Sequence, residues 1–572
     1  MNTDFVIKSF GLAALLSVAA VVGCSDEPQE RAQIFDVIIR GGTVYDGTGN
    51  APKIADVAIL ADRVAGIGDY SVYEATLNID ATGQAVAPGF INMLSWAVGT
   101  LMVDGRGMSD LKQGVTLEVF GEGVSWGPLN EQMKAQFKAR QGDIKYDINW
   151  TTLGEYLEGL EARGISPNVA SFVGATTLRI HEVGRDNRRP SEDELSRMQD
   201  LVRQAMREGA LGVGSSLIYA PANFADTAEL IALAKAAGEY GGMYISHIRS
   251  EGNRFEAAVE ELITIAREAG VPAEIYHLKA SGKPNWNKFD VIFPMIEKAR
   301  QEGLRISADM YTYPASATGL NAAMPLWVQE GGIDKWVGRL KEPAQRARVI
   351  EQMRAPSTDW ENRFIEIGPE NILLVGFRNQ ALRPLIGQTV AEVAEMRGTS
   401  PEDTAIDLVI EDNGRVEVIY FSMKPENLHR KIRQPWVSFG SDAGAPAAEG
   451  LFLNNNLHPR AYGNFARLLG KYVRDEKIIP LQEAIRRLTS LPAGNLGIRA
   501  RGLLKAGYFA DVVVFDPATI QDHATFEAPH QYSTGVHAVL VNGIQVLKNG
   551  EHTGATPGRV VRGPGWDGWK EE

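Results

Sequence analysis

A chain of 572 residues is too long for one minimal domain and has the size of a large barrel with a satellite domain. A formal net charge of −13 with no Lys/Arg-rich run argues against a nucleic-acid partner. With 44% apolar and 23% charged residues, the composition is that of a folded globular protein, not a disordered one.

Residues 10 to 23 are small and apolar, and they end at Val21-Val22-Gly23 just before Cys24, which is followed by a polar Ser-Asp-Glu-Pro-Gln-Glu stretch. This pattern predicts a lipoprotein signal over 1–23, lipid on the Cys24 thiol, and a tether over 24–33. The apolar run is shorter than the ~20 residues a membrane span needs. The expectation is therefore an exported bacterial lipoprotein, facing the periplasm or anchored in the outer membrane by its N-terminal lipid. Cys24 is the only cysteine, so the mature chain has no disulfide and no other thiolate metal ligand.

From residue 34 to 86 the chain runs in short strands broken by turns, among them Asp56-Val-Ala-Ile-Leu60 and Arg63-Val-Ala-Gly-Ile-Gly68. The same texture returns over 502–562, in Ala510-Asp-Val-Val-Val-Phe515 and Val536-His-Ala-Val-Leu-Val541. Both ends together predict one small β-sandwich domain.

Between them lie eight candidate parallel strands: Ala87–Met93, Val115–Phe120, Asn168–Val173, Gly212–Leu217, Met243–His247, Ala273–His277, Arg305–Tyr311 and Pro435–Asp442. Helices separate several of them. Ser191 and Glu194 form a capping box before an amphipathic run, and Asp226 with Glu229 opens another helix. The prediction is an α/β fold, a (β/α)8 TIM-type barrel over 87–501. No Gly-x-Gly-x-x-Gly opens a helix, which counts against a doubly wound sheet. About a hundred residues separate the last two strands, so 319–433 reads as an inserted, lid-like segment.

The fifth and sixth strands carry the densest signal. Met243-Tyr-Ile-Ser-His247 and Ala273-Glu-Ile-Tyr-His277 each end on a histidine, and each histidine is followed two residues later by a cation, Arg249 or Lys279. Between them Phe255, Val259, Leu262, Ile263 and Ala266 recur at helical spacing until Gly270 and Pro272 stop the run. Parallel strands joined in this way present both imidazoles at one mouth, where they can share a metal ion. Glu122, flanked by glycines after the second strand, offers an oxygen ligand, and Asp442 ends the eighth strand. Two histidines and a carboxylate with one position left open is a common catalytic zinc arrangement. An aspartate nearby can take a proton and later deliver it to a leaving nitrogen.

Several further motifs complete the pattern: Val86-Ala-Pro-Gly-Phe-Ile-Asn92, Gln113-Gly-Val-Thr116, Ser246-His-Ile-Arg-Ser-Glu-Gly252, Gly440-Ser-Asp442, His458-Pro-Arg-Ala-Tyr-Gly463 and Thr489-Ser-Leu-Pro-Ala493. With them, from about residue 34 to 562, the chain resembles the amidohydrolase superfamily, in its D-aminoacylase branch of N-acyl-D-amino-acid deacylases. The resemblance implies one Zn2+ per chain held by Glu122 (in the place of that branch's usual bridging cysteine), His247 and His277, with Asp442 as general acid/base. It further implies that Lys279, Arg460 and Tyr219 grip the substrate's α-carboxylate. The implied substrate is a small N-acyl amino acid, of D configuration, or a short peptide.

One departure stands out. Where the family has His-x-His after Pro88-Gly-Phe-Ile, this chain has Leu94-Ser-Trp96, which cannot bind a second ion. A single-metal hydrolase is therefore expected, with Trp96 walling the pocket. Dipeptide or cyclic-amide hydrolysis is the alternative, and a catalytically silent binding barrel ranks below both.

Overall fold

The computed structural model describes residues 34–357 and 359–570; Cys24 and the expected signal and tether lie outside them. In chain order the first strands are β1 (Phe35–Val44), β2 (Lys53–Leu60), β3 (Arg63–Gly68), β4 (Ala75–Asp80) and β5 (Ala85–Pro88). β1 changes neighbours midway: Phe35–Arg40 pair with β4, and Thr43 and Val44 pair with β5. Gly41 makes this possible, because its φ of 64° lies in the left-handed region.

The barrel strands are β6 (Phe90–Asn92), β7 (Val115–Phe120), β8 (Asn168–Ser171), β9 (Val173–Gly174), β10 (Gly212–Ser216), β11 (Met243–His247), β12 (Ala273–Ile275) and β13 (Ile306–Met310). The inserted β14 (Ser316–Gly319), β15 (Ile372–Gly376) and β16 (Glu417–Tyr420) follow, and then β17 (Val437–Phe439) completes the barrel. β8 and β9 are one strand interrupted at Phe172, so eight parallel strands surround the axis. The seams are closed by Met93 N–H to the Phe439 carbonyl (3.2 Å), Asp442 N–H to the Leu94 carbonyl (2.8 Å) and Leu211 N–H to the Ser171 carbonyl (3.0 Å). The fold is a (β/α)8 barrel. Its strands are buried on both faces, as strands covered by helices outside and side chains inside must be.

Several strands differ from expectation; the eighth, expected over Pro435–Asp442, spans only Val437–Phe439 and leaves Asp442 past its end. The first was expected as Ala87–Met93, but Ala85–Pro88 pairs antiparallel with the end-strand β18 (Val512–Phe515) and only Phe90–Asn92 enters the barrel. Gly89 sits between, where a Cβ would lie 2.1 Å from Thr116 Oγ1, so the chain crosses between sheets at a point only glycine fits. The sixth strand stops at Ile275, because Asp309 Oδ1 takes the His277 N–H (2.8 Å) and His277 adopts φ 35°.

The expected capping box at Ser191 and Glu194 closes in both directions and starts the helix Glu192–Arg207. Asp226 caps Thr227–Gly238 by accepting from Glu229 N–H. The insertion builds an antiparallel sheet, β14-β16-β15, over its own apolar core of Leu320, Trp336, Leu374, Val393, Leu408 and Tyr420. After the barrel come β18, β19 (Val536–Val541), β20 (Ile544–Lys548) and β21 (Glu551–His552). These join β1–β5 in one nine-stranded sheet. Its two halves close on a shared interior, in which Val57 and Ile59 meet Val512, Val514 and Leu540.

Inside the barrel, Glu274 is fully buried and accepts from Ser307 Oγ (2.6 Å) and Asn495 Nδ2 (3.0 Å). Burial outweighs these donors and pushes its carboxyl up to about 7. A carboxyl whose folded pKa lies above its unfolded value favours the fold when protonated. Its contribution is full below the unfolded value of 4.5 and is lost as pH rises towards 7. Glu274→Gln should therefore raise the melting temperature relative to the native chain at pH 8 and not at pH 4. An equal effect at both pH values would contradict the buried neutral carboxyl.

Candidate active site

The C-terminal ends of the barrel strands bring Glu122, His247 and His277 together. Glu122 follows β7 between Gly121 (φ 109°) and Gly123 (φ 69°). A Cβ on Gly121 would lie 2.5 Å from the Phe172 carbonyl oxygen, so the tight turn that aims Glu122 inward requires glycine. Glu122 Oε1 lies 2.9 Å from His247 Nδ1 and 3.0 Å from His277 Nε2. One ligand atom from each of the three residues falls within 4.8 Å of the others, and all three residues are buried.

The electrostatics fit a cation at this point. Burial pushes the Glu122 carboxyl up, but the two imidazoles beside it outweigh burial and hold it well below the usual carboxylate range. Burial and Lys279 push His277 down, while Glu122 and Glu251 push harder upward, and the result is about 9. His247 is lowered, chiefly by burial, and its Nε2 is buried without a hydrogen-bond partner. An anionic oxygen and two imidazoles, one ligand atom from each residue, form a donor set suited to a divalent metal.

Asp442 lies three residues past β17 with φ 49°, so two of the candidate site residues, His277 and Asp442, hold strained left-handed backbone. Its Oδ2 forms an ion pair with Arg460 Nη1 at 2.8 Å. Burial raises the Asp442 carboxyl, and Arg460 and His277 only partly offset that rise. Arg460 opens the helix Arg460–Arg467, is buried itself, and lies 4.5 Å over the Tyr311 ring.

The three residues expected to grip a carboxylate have different surroundings. Arg460 keeps its Nε without a hydrogen-bond partner. Lys279 Nζ is bound to Glu251 Oε1 (2.5 Å) and lies 2.7 Å from His277 Nδ1. Tyr219 shares its hydroxyl with Thr318 Oγ1 on the insertion (2.8 Å). Arg249, although it stands at the same spacing after its histidine as Lys279, turns away to Glu261 and the carbonyls of Asn223 and Ala225.

Glu251 and Arg363 had no assigned part in the sequence reading. Glu251 Oε1 lies 3.2 Å from His277 Nδ1 and 3.6 Å from His247 Nε2, behind both imidazoles. Its Oε2 accepts from Arg363 of the insertion (3.1 Å). Glu251 stands four residues after His247 in a motif that was already visible. Arg363 is 112 residues away and gives no local signal.

The metal-ligand candidates together with Asp442, Arg460, Lys279, Tyr219, Glu251 and Arg363, but not Arg249, open on one cavity of about 920 Å³. Trp96, Trp126, Phe137 and Ile180 form an apolar wall, and Lys279, Arg363 and Arg460 supply positive charge. An apolar space with a few convergent polar groups can orient a small anion-bearing ligand against the carboxylate–imidazole centre.

Residues 78–547 match the model of the amidohydrolase family. The chain is 34% identical over 539 residues to a D-aminoacylase of Alcaligenes xylosoxydans xylosoxydans, covering 93% of this chain and 99% of that protein. Among solved structures it is similar to a D-aminoacylase described as having a binuclear metal centre with one-metal activation and second-metal attenuation. That structure is 32% identical with a TM-score of 0.77 and covers 92% of this chain and all of that one. The N-acyl-D-glutamate deacylase of Bordetella bronchiseptica, complexed with zinc and a phosphonate mimic of the tetrahedral intermediate, is 30% identical with a TM-score of 0.76. It covers 93% of this chain and all of that one.

Proposed function

The chain belongs to the amidohydrolase family, and from that premise we propose that it hydrolyses the amide bond of N-acyl-D-amino acids with one zinc ion held by Glu122, His247 and His277. The observation that carries the reading is the single cavity on which those three residues, Asp442 and Arg460 all open. When bound, the ion supplies Lewis acidity, which polarises a carbonyl and makes a hydrolytic water easier to deprotonate.

The chain's own residues do the rest. Asp442 takes the proton from the water and passes it to the departing amine nitrogen. Arg460 can meet a carboxylate through two N–H groups at once, with Lys279 and Tyr219 completing that subsite. The Trp96–Trp126 wall takes the apolar part of the acyl group. One ion rather than two follows from Leu94 and Trp96, neither of which is a zinc ligand. We further propose that lipid on Cys24 holds the enzyme on a membrane, a reading supported by the small apolar run before that residue.

The test is a panel of N-acyl D- and L-amino acids, dipeptides and cyclic amides, assayed with zinc-loaded protein and after chelation. Zinc-dependent release of free D-amino acid is expected, with the activity moving from the membrane fraction to the soluble fraction in Cys24→Ser. Preference for a dipeptide or a hydantoin ring would displace the acylamino-acid reading. No hydrolysis of any member would remove the enzymatic one.

A further inference from the structure

We propose that the Trp96 indole N–H is a positioning group: it caps one oxygen of Glu122, leaves the other to face both histidines, and so closes the site to a second metal ion. This rests on the zinc reading above and adds a role that reading does not contain. Trp96 Nε1 donates to Glu122 Oε2 at 3.1 Å, while Oε1 alone faces His247 and His277. A carboxylate that bridges two cations with one oxygen on each needs both oxygens free, and here one is occupied by the positive end of an N–H dipole.

The backbone that carries the indole is pinned on both sides, which fixes where the ring starts from. Ser95 N–H bonds the Val119 carbonyl of β7 (2.9 Å), and Trp96 N–H bonds the Ala443 carbonyl beyond β17 (2.9 Å). The neighbouring Leu94 carbonyl accepts from Asp442 N–H, so one short segment sets both the indole and the candidate base. Leu94 itself is fully buried in the barrel interior among Leu117, Phe172 and Tyr276, and brings no donor atom to the mouth. The segment that could have supplied ligands for a second ion therefore supplies a hydrophobic plug and a hydrogen-bond donor.

The experiment compares the native chain, Trp96→Phe and Trp96→His, measuring zinc per chain after dialysis against excess zinc and zinc affinity by chelator competition. The native chain should hold one zinc. Trp96→Phe keeps the apolar wall but loses the N–H, and should bind zinc about 10- to 100-fold more weakly, the usual cost of removing a group that orients a ligand. Trp96→His frees Oε2 and offers a ring nitrogen, and should admit a second ion. Unchanged affinity in Trp96→Phe would overturn the proposal while leaving the single-zinc hydrolase intact. Should that variant fail to fold, two tightly held ions on the native chain would overturn it equally. No zinc on the native chain would overturn the metal reading beneath both.

Discussion

Asp442→Asn is expected to bind zinc as the native chain does and to lose about 10²- to 10⁴-fold in kcat/KM, the range a positioned general acid–base group contributes. Asparagine keeps the size and the N–H to Leu94 carbonyl contact of the backbone, but it cannot take up a proton. The pairing with Arg460 adds a second step. In the structure the guanidinium is 2.8 Å from Asp442 Oδ2, and it is the first of the groups that offset the upward push of burial on that carboxyl. A substrate carboxylate arriving at Arg460 competes for the same positive charge. As it does so, Asp442 loses its stabilising partner and becomes more basic, when the proton has to be taken. A base must be deprotonated to act, and its pKa is already raised above the ordinary 3.8. The acid limb of the native pH–rate profile should therefore lie above the usual aspartate range and vanish from the residual activity of the variant. Full activity in Asp442→Asn, with zinc retained, would remove Asp442 from the proton-transfer role.

Legibility in the sequence followed the range of the interaction. Helix starts such as Ser191 and Asp226 were readable because a cap and its partner lie three residues apart. The barrel was readable because alternating short apolar runs and helices leave few topologies open. His247 was readable as the end of a strand. The conformation of His277 is not legible, since Asp309, 32 residues on, bends it out of the strand. That bend also explains why the matched cations diverge. Arg249 leaves a straight strand end and Lys279 leaves a left-handed turn, so the same spacing sends the two side chains to different places. The bond from Trp96 to Glu122 was invisible because residue type alone reports the lost ligand, not what replaces it.

Glu251→Gln is expected to be the most disruptive conservative change outside the ligand set. Glu251 is 2% exposed and sits among Lys279, Arg363, His277 and His247, so its single negative charge answers several buried cationic or imidazole groups. Burial pushes the carboxyl up, yet Lys279 and the two histidines outweigh it and hold it well below the glutamate range. Removing one partner of such a cluster strands the others, at a cost of about 3–5 kcal/mol. Two consequences separate this from a general loss of packing. Glu251 stands behind both imidazoles as the outer carboxylate of a metal-ligand histidine does, so zinc affinity should fall about 10- to 100-fold as well. The loop it occupies is also held from above: Glu361 of the insertion accepts from Ser250 Oγ (2.9 Å) and Gly252 N–H (2.7 Å), and Arg363 reaches Glu251 itself. Loss of the charge should thus loosen the insertion over the cavity, seen as faster protease cleavage within 319–433. The pH dependence has a definite sign. A carboxyl with a depressed folded pKa gives its full stabilisation above the unfolded value of 4.5 and loses it as pH falls towards the folded one. The melting-temperature gap between native and Glu251→Gln chains should be full at pH 7 and narrow only below about pH 4.5. A variant that melts, binds zinc and resists protease as the native chain does would show that the cluster carries neither the site nor the insertion.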